Sequence, residues 1–259
     1  MIPYFQWISF HIGPVPIQLW GLMVAIGIVL GLWVAVRAAV RRKLNSQVMI
    51  DIAFWSILSA LIGARIFFVL SEAAVFIAHP LDVFKIWEGG MSISGGFIGA
   101  VAGAWIFTKI KKVSFLEYAD AAALGLPIGL WIGRLGCFFI FDHPGSPTSF
   151  FLGETYLDGV VRHNHGLYLS INGLLMALIF GLLWKKNPHR RTGFFSMLFL
   201  LWYGVVRFVL DFFRAWDGVH PDTRFAGLTW AQYAALFMVV LGGILWYTLN
   251  RKSSDSPKR

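Results

Sequence analysis

Charge and cysteine are what this sequence has least of. Only 14% of its residues are charged, against about 25% in an ordinary soluble domain, which excludes a chain wrapped in a normal water-facing surface. A single cysteine, Cys137, excludes a disulfide within the chain. No Pro/Ser-rich linker interrupts the sequence, so residues 1–259 read as one domain. Met1–Pro16 carries no basic stretch ahead of an apolar core, so a cleaved signal peptide is not expected. Polar turns every few residues, which a soluble α/β chain needs between its strands, are also missing.

What fills the sequence instead is apolar: 58% hydrophobic, arranged in long continuous runs. Runs of about 18 residues or more mark membrane spans. They lie at Ile17–Val36, Val48–Leu70, Met91–Phe107, Ala119–Phe141, Gly166–Trp184, Gly193–Phe213 and Leu228–Leu249. The expected fold is an all-α integral membrane protein, a bundle of seven transmembrane helices. Glycine rows at helical spacing (Gly27 and Gly31; Gly95, Gly99 and Gly103; Gly125, Gly129 and Gly133) fit close helix packing in lipid.

Most of the 22 basic residues fall in alternate loops. Arg37, Arg41, Arg42 and Lys43 follow span one; Lys109, Lys111 and Lys112 follow span three. Lys185, Lys186, Arg190 and Arg191 follow span five; Arg251, Lys252, Lys258 and Arg259 follow span seven. Basic loops stay in the cytoplasm, so the N-terminus is expected outside (periplasmic) and the C-terminus in the cytoplasm. The net charge of +9 is accounted for by these loops and not by a nucleic-acid partner. Residues 142–165 form a long outer connection, and its Phe150, Phe151 and Tyr156 suggest an arm or lid at the membrane face.

Three arginines remain inside spans: Arg65, Arg134 and Arg207. Each costs at least about 2.5 kcal/mol to place in hydrocarbon, so each needs a partner or a wet cavity. All three lie five to seven residues before the outer end of their span, roughly 8–10 Å by helical rise. Arg207, Asp211 and Arg214 share a helix face at i, i+4 and i+7. Salt bridges between helices and an anion-binding cavity are both compatible with this pattern. Guanidinium excess after pairing favours the cavity, since its planar fork suits phosphate oxygens. A phospholipid head group lies at that depth, whether for an enzyme or for a lipid transporter.

A set of motifs carries the argument further. They are Gly13-Pro14, Trp20-Gly21-Leu22-Met23, Gly63-Ala64-Arg65, Trp87-Glu88-Gly89-Gly90-Met91-Ser92 and Gly95-Gly96-Phe97-Ile98-Gly99. Gly133-Arg134-Leu135-Gly136 follows, with Phe138, Gly145, Pro147 and Thr148; then Arg162-His163, Leu167-Tyr168, Tyr203-Gly204, Arg207-Phe208, Phe212-Phe213-Arg214, Leu228-Thr229 and Gln232. In order and spacing these resemble the prolipoprotein diacylglyceryl transferase family over nearly the whole chain. The chain departs from the family pattern at several points. Ser94 stands where a histidine often precedes the double glycine, and Cys137 and Ile140 stand where the signature has asparagines. Asp142 and Asp211 replace glutamates. The segment that usually reads His-Pro-Ser-Gln-Leu-Tyr-Glu is His163-Asn164-His165-Gly166-Leu167-Tyr168-Leu169.

The resemblance implies a multi-pass enzyme of the bacterial cytoplasmic (inner) membrane. It would move the diacylglyceryl group of phosphatidylglycerol to the lipobox cysteine of a prolipoprotein and release glycerol phosphate. A catalytically altered relative, or a phospholipid-binding transporter of the outer leaflet, is the alternative. The implied partners are phosphatidylglycerol, the prolipoprotein signal-peptide segment and the bilayer; no metal or cofactor enters. Arg134 and Arg207 are the expected phosphate stabilisers, with Arg65 a third candidate. Asp211 and Asp142 orient them. Trp87, Glu88, Ser94, Gly95, Gly96, Tyr203 and Arg214 shape the substrate pocket. His143 and His163 are both candidates for the base that activates the thiol, and deprotonation in the field of the arginines is a third route. Cys137 is expected to be a packing residue.

Overall fold

The computed structural model describes residues 1–142, 144–217 and 224–254, without the side chains of residues 88 and 252–254. Seven helices among the described residues are long and apolar enough to cross a membrane. They are α1 (Leu19–Arg41), α2 (Ser46–Ser71), α4 (Ile93–Ile110), α5 (Phe115–Phe139), α6 (His165–Lys186), α7 (Phe194–Leu210) and α8 (Trp230–Ser254). A short helix, α3 (Ala73–Ala78), follows α2. Large apolar side chains such as Val29, Phe54, Leu61, Phe97, Leu178 and Phe237 stand exposed on these helices. Water would not tolerate so much exposed hydrocarbon, whereas a bilayer solvates it, and helices satisfy their own backbone there. Several helices outrun the apolar stretch of sequence. In α1 the helix continues past Val36 to Arg41, with the Arg37 guanidinium 3.8 Å from the centre of the Trp33 ring. Arginine and tryptophan suit the interface, where hydropathy falls while backbone hydrogen bonding continues.

The chain divides into two compact units, Met1–Arg42 with Ala119–Arg259, and Lys43–Tyr118. In the smaller unit α2 and α4 pack along a seam of small residues. A Cβ placed on Gly63 would lie 2.5 Å from the Gly95 carbonyl oxygen, so only glycine permits this approach. Asn45 caps α2 by accepting from Gln47 N and Val48 N, and Ser92 caps α4 by accepting from Gly95 N.

The larger unit holds α1, α5, α6, α7 and α8. A β-hairpin, β1 (Ser9–Ile12) with β2 (Val15–Gln18), leads into α1. Here α1 meets α5 through Gly27 and Gly129: a Cβ on Gly27 would sit 3.0 Å from the Gly129 carbonyl oxygen. At one end of this unit Asp120 is fully buried. It pairs with Arg42 at 2.9 Å and accepts from Ser196 N at 2.7 Å. Its charge thus sits in the first turn of α7, where the helix dipole favours an anion.

Residues 144–164 fold as a small antiparallel sheet: β3 (Pro144–Pro147), β4 (Glu154–Thr155) and β5 (Val161–Asn164), in the order β3-β5-β4. Two further strands, β6 (Arg224–Phe225) and β7 (Leu228–Thr229), form a hairpin directly before α8. The sequence pattern announces an outer arm but not this sheet. Its strands are two to four residues long and rich in proline, glycine and polar groups, so they show no period-two signal.

Candidate functional site

The site is built at the end of α7. Spacing by four residues sets Arg207 and Asp211 on one face, and their ion pair closes at 2.9 Å between Nη2 and Oδ1. The helix tightens into a 3₁₀ turn over Asp211–Phe213, which brings Arg214 Nη1 to 4.0 Å from the same carboxylate oxygen. Asp211 is 0% exposed. A buried carboxylate needs every lone pair engaged, and its second oxygen accepts from the Thr229 hydroxyl. Gln232 locks this arrangement. Its side-chain oxygen accepts from Thr229 N at 2.9 Å, its own N–H donates to Thr229 Oγ1 at 3.2 Å, and its amide donates to the Phe208 carbonyl at 3.3 Å. The start of α8 therefore fixes the end of α7.

Arg134 on α5 and Tyr203 on α7 lie close enough to act electrostatically on Arg207, as does Arg214. Among the described residues Arg134 meets no carboxylate within ion-pair distance; its Nη1 lies 3.9 Å from Cys137 Sγ, one turn along the same helix. Tyr203 is buried and stacks on Phe199, with ring centroids 5.6 Å apart. Two guanidinium groups, those of Arg207 and Arg214, thus gather around one fully buried carboxylate, and a third, that of Arg134, acts on Arg207. Cys137 itself is buried and unbonded to another cysteine.

The sheet borders this cluster through Gly145, which bridges to Arg214. Alternation along β5 buries Arg162 and Asn164 and leaves His163 on the opposite, half-buried face. Arg162 ties the sheet down, donating to both oxygens of Asp217 at 2.9 and 3.1 Å and to Asp158 at 3.1 Å. These bonds hold both aspartates below the usual carboxylate range; for Asp158 the larger cause is the Val160 N–H that it accepts. Asn164 caps α6 by accepting from Leu167 N and donates its amide to Glu154. Glu154 is 0% exposed, and burial raises its pKa to about 7.

His163 packs against Phe213, with ring centroids 4.9 Å apart, and its Nδ1 lies 2.9 Å from the Tyr168 hydroxyl. Burial lowers its pKa below the usual histidine value, so the ring is neutral at pH 7 and can accept a proton. Asp142 follows a left-handed turn at Phe141 (φ 62°) and donates its N–H to the Cys137 carbonyl at 3.1 Å. His143 lies outside the described residues.

In the smaller unit Arg65 is held by carbonyls of its own chain. Its Nε donates to Val83 O at 2.9 Å, Nη1 to Gly89 O and Gly90 O at 2.7 and 3.0 Å, and Nη2 to Asp82 O and Lys85 O. Gly89 and Gly90 turn their carbonyls toward it with φ of 90° and 76°, a conformation that favours glycine. The sequence offers Arg65 as a third candidate for the phosphate; in the structure its guanidinium is held by carbonyls of the loop that carries Trp87. Trp87 is 76% exposed, and Ser94, also exposed, lies in the first turn of α4. Gly95 is taken up by the α2–α4 seam, while Gly96 has more space. The Glu88 side chain lies outside the described residues.

Three contributors to the arginine cluster are not apparent from the sequence. Thr229 and Gln232 appear there as motif residues without a role. His165, the first residue of α6, is 2% exposed, and neither ring nitrogen hydrogen-bonds among the described residues. The Phe213 backbone and the charges of Arg214, Arg207 and Asp211 surround it.

Membrane-length helices with half-buried arginines around a fully buried aspartate define a class: a polytopic membrane protein with a charged site among its helices. Comparison narrows the class. The family model for prolipoprotein diacylglyceryl transferase matches residues 7–248. The phosphatidylglycerol–prolipoprotein diacylglyceryl transferase of Geobacillus kaustophilus is 33% identical over 255 residues, covering 93% of this chain and 92% of the relative. Those of Lysinibacillus sphaericus and Cupriavidus metallidurans are 34% and 32% identical, over 91% and 98% of this chain and 89% and 97% of their own lengths. The chain belongs to the prolipoprotein diacylglyceryl transferase family.

Proposed function

We propose that this protein transfers the diacylglyceryl group of phosphatidylglycerol to the cysteine thiol of a prolipoprotein. The observation that carries this reading is the Arg207–Asp211–Arg214 arrangement with Arg134 beside it. In the reaction the thiolate sulfur bonds to the glyceryl carbon as that carbon's bond to the phosphate oxygen breaks. The electron pair leaves with glycerol phosphate, and the thiol proton passes to a base. Developing charge on the phosphate oxygen is the step a protein can stabilise. Arg134 and Arg207 supply guanidinium donors for it. Asp211, pinned by Thr229, holds Arg207 and Arg214 in place so that little reorganisation accompanies bond breaking.

His163 is the proton acceptor in this scheme. Its ring is half-buried and held at Nδ1 by Tyr168. Arg65, through its five carbonyl contacts, shapes the loop that carries Trp87 in the smaller unit. Alternation of the basic loops orients the N-terminus outside and the C-terminus in the cytoplasm of a bacterial inner membrane. Residues 142–165 then face the exterior, where a prolipoprotein cysteine arrives.

The test is direct. Purified protein in phosphatidylglycerol liposomes is incubated with a synthetic lipobox peptide, and the peptide is weighed by mass spectrometry. A diacylglyceryl adduct on its cysteine is expected. No adduct, with an active family enzyme run alongside, would overturn the assignment.

A further inference from the structure

At the other end of the larger unit, the α6–α7 connection and the end of α8 line an open cavity of about 420 Å³. Its lining combines the polar Asn187, His189 and Arg190 with the apolar Phe194, Met197 and Trp246. Among the described residues no carboxylate lines it. The Arg190 guanidinium lies 4.5 Å from the centre of the Phe194 ring, and its Nε is buried with no hydrogen-bond partner among the described residues. Arg191, also in the lining, reaches across to α8 and donates to the Leu249 carbonyl at 2.9 Å. Phe194 opens α7, so the positive end of that helix dipole adds to the field. Trp246 is 55% exposed, as are other large apolar residues of α8 such as Phe237 and Ile244.

An unsatisfied buried guanidinium nitrogen is costly, and a basic cavity with apolar side chains in its lining recognises one kind of molecule: a phosphate attached to hydrocarbon. From Phe194 to Arg207 is thirteen residues of one helix, about 20 Å by helical rise, so this cavity is separate from the arginine cluster. We propose that it is a second phospholipid site, which takes the phosphate of an anionic lipid in the leaflet facing the basic loops. A lipid held there fastens the α6–α7 connection to the end of α8. The shared chemistry is phosphate, and free phosphate is the competing source. The apolar part of the lining, with its exposed Trp246, favours the lipid. The orientation proposed above decides only which leaflet is meant.

Purified full-length protein is placed in phosphatidylcholine vesicles containing a trace of photoreactive phosphatidylserine, irradiated, digested and mapped by mass spectrometry. Adducts are expected on peptides covering 187–197 and 246–250, beyond those obtained with photoreactive phosphatidylcholine. The Arg190→Gln/Arg191→Gln double variant should lose about tenfold of that labelling while retaining transfer activity. Excess inorganic phosphate should leave the labelling unchanged. Equal labelling by the two lipids, or full labelling of the double variant, would overturn the site. Displacement by inorganic phosphate would overturn the lipid as its occupant. If the double variant does not insert, the contrast between the two lipids on the unmutated protein decides.

Discussion

The Thr229 hydroxyl donates to Asp211, and Arg207 meets the other oxygen of the same carboxylate at 2.9 Å. Thr229→Val keeps the shape and deletes the donor, so a buried carboxylate oxygen loses its partner at about 1–3 kcal/mol. The variant should unfold at lower temperature in detergent and turn over more slowly, and Thr229→Ser should restore both. A valine variant with unchanged melting temperature and rate would show that the hydroxyl does not hold Asp211.

Arg134→Ala and Arg207→Ala should each reduce kcat by about a hundredfold or more, as expected for loss of one donor to a developing oxyanion. Both proteins should still reach the membrane. Normal turnover in either variant would remove that arginine from the phosphate role.

Depression of the His163 pKa by burial keeps its basic form populated below the usual midpoint of about 6.5. The acid limb of the rate profile should therefore fall below pH 6.5. His163→Gln should lower kcat by about a hundredfold and remove that limb. A limb that persists in His163→Gln would assign the base elsewhere, with the buried His165 the next variant to make.

Glu154 carries a pH signature in stability. Its folded pKa of about 7 lies above the ordinary 4.5, so the folded state holds the proton more tightly than the unfolded chain. Its contribution is greatest in acid and declines as pH rises from about 4.5 to about 7, by up to about 3 kcal/mol. Glu154→Gln should flatten the melting temperature between pH 5 and 8 and raise it at pH 8. A melting curve with the same pH slope in both proteins would place the titration on another group.

Arg65→Ala leaves the carbonyls of Asp82, Val83, Gly89 and Gly90 without their donor. Amide hydrogen exchange over residues 82–90 should accelerate by at least about tenfold, while α5–α8 exchange as before. Unchanged exchange in the loop would show that it does not depend on the guanidinium.

The span count and the pairing of Arg207 with Asp211 were legible in the chain because both are local. Continuous hydropathy reports a bilayer-length helix, and a separation of four residues puts two side chains on one helix face whatever surrounds them. The position of Arg65 was legible, but its partners were not. Five carbonyls compete for its guanidinium only once Gly89 and Gly90 adopt left-handed turns. Thr229 and Gln232 were visible as motif residues, yet their work on Asp211 depends on how α8 meets α7.

By itself, the sequence determined a seven-helix membrane protein with arginines buried near its helix ends, since hydrophobic length and charge cost act along the chain. Only the tertiary structure decided which groups meet those arginines: Thr229 on Asp211, His165 beside the cluster, the β3-β5-β4 sheet at its border. These contacts join segments distant in sequence, and which of them form is set by packing and by the need to satisfy every buried polar group.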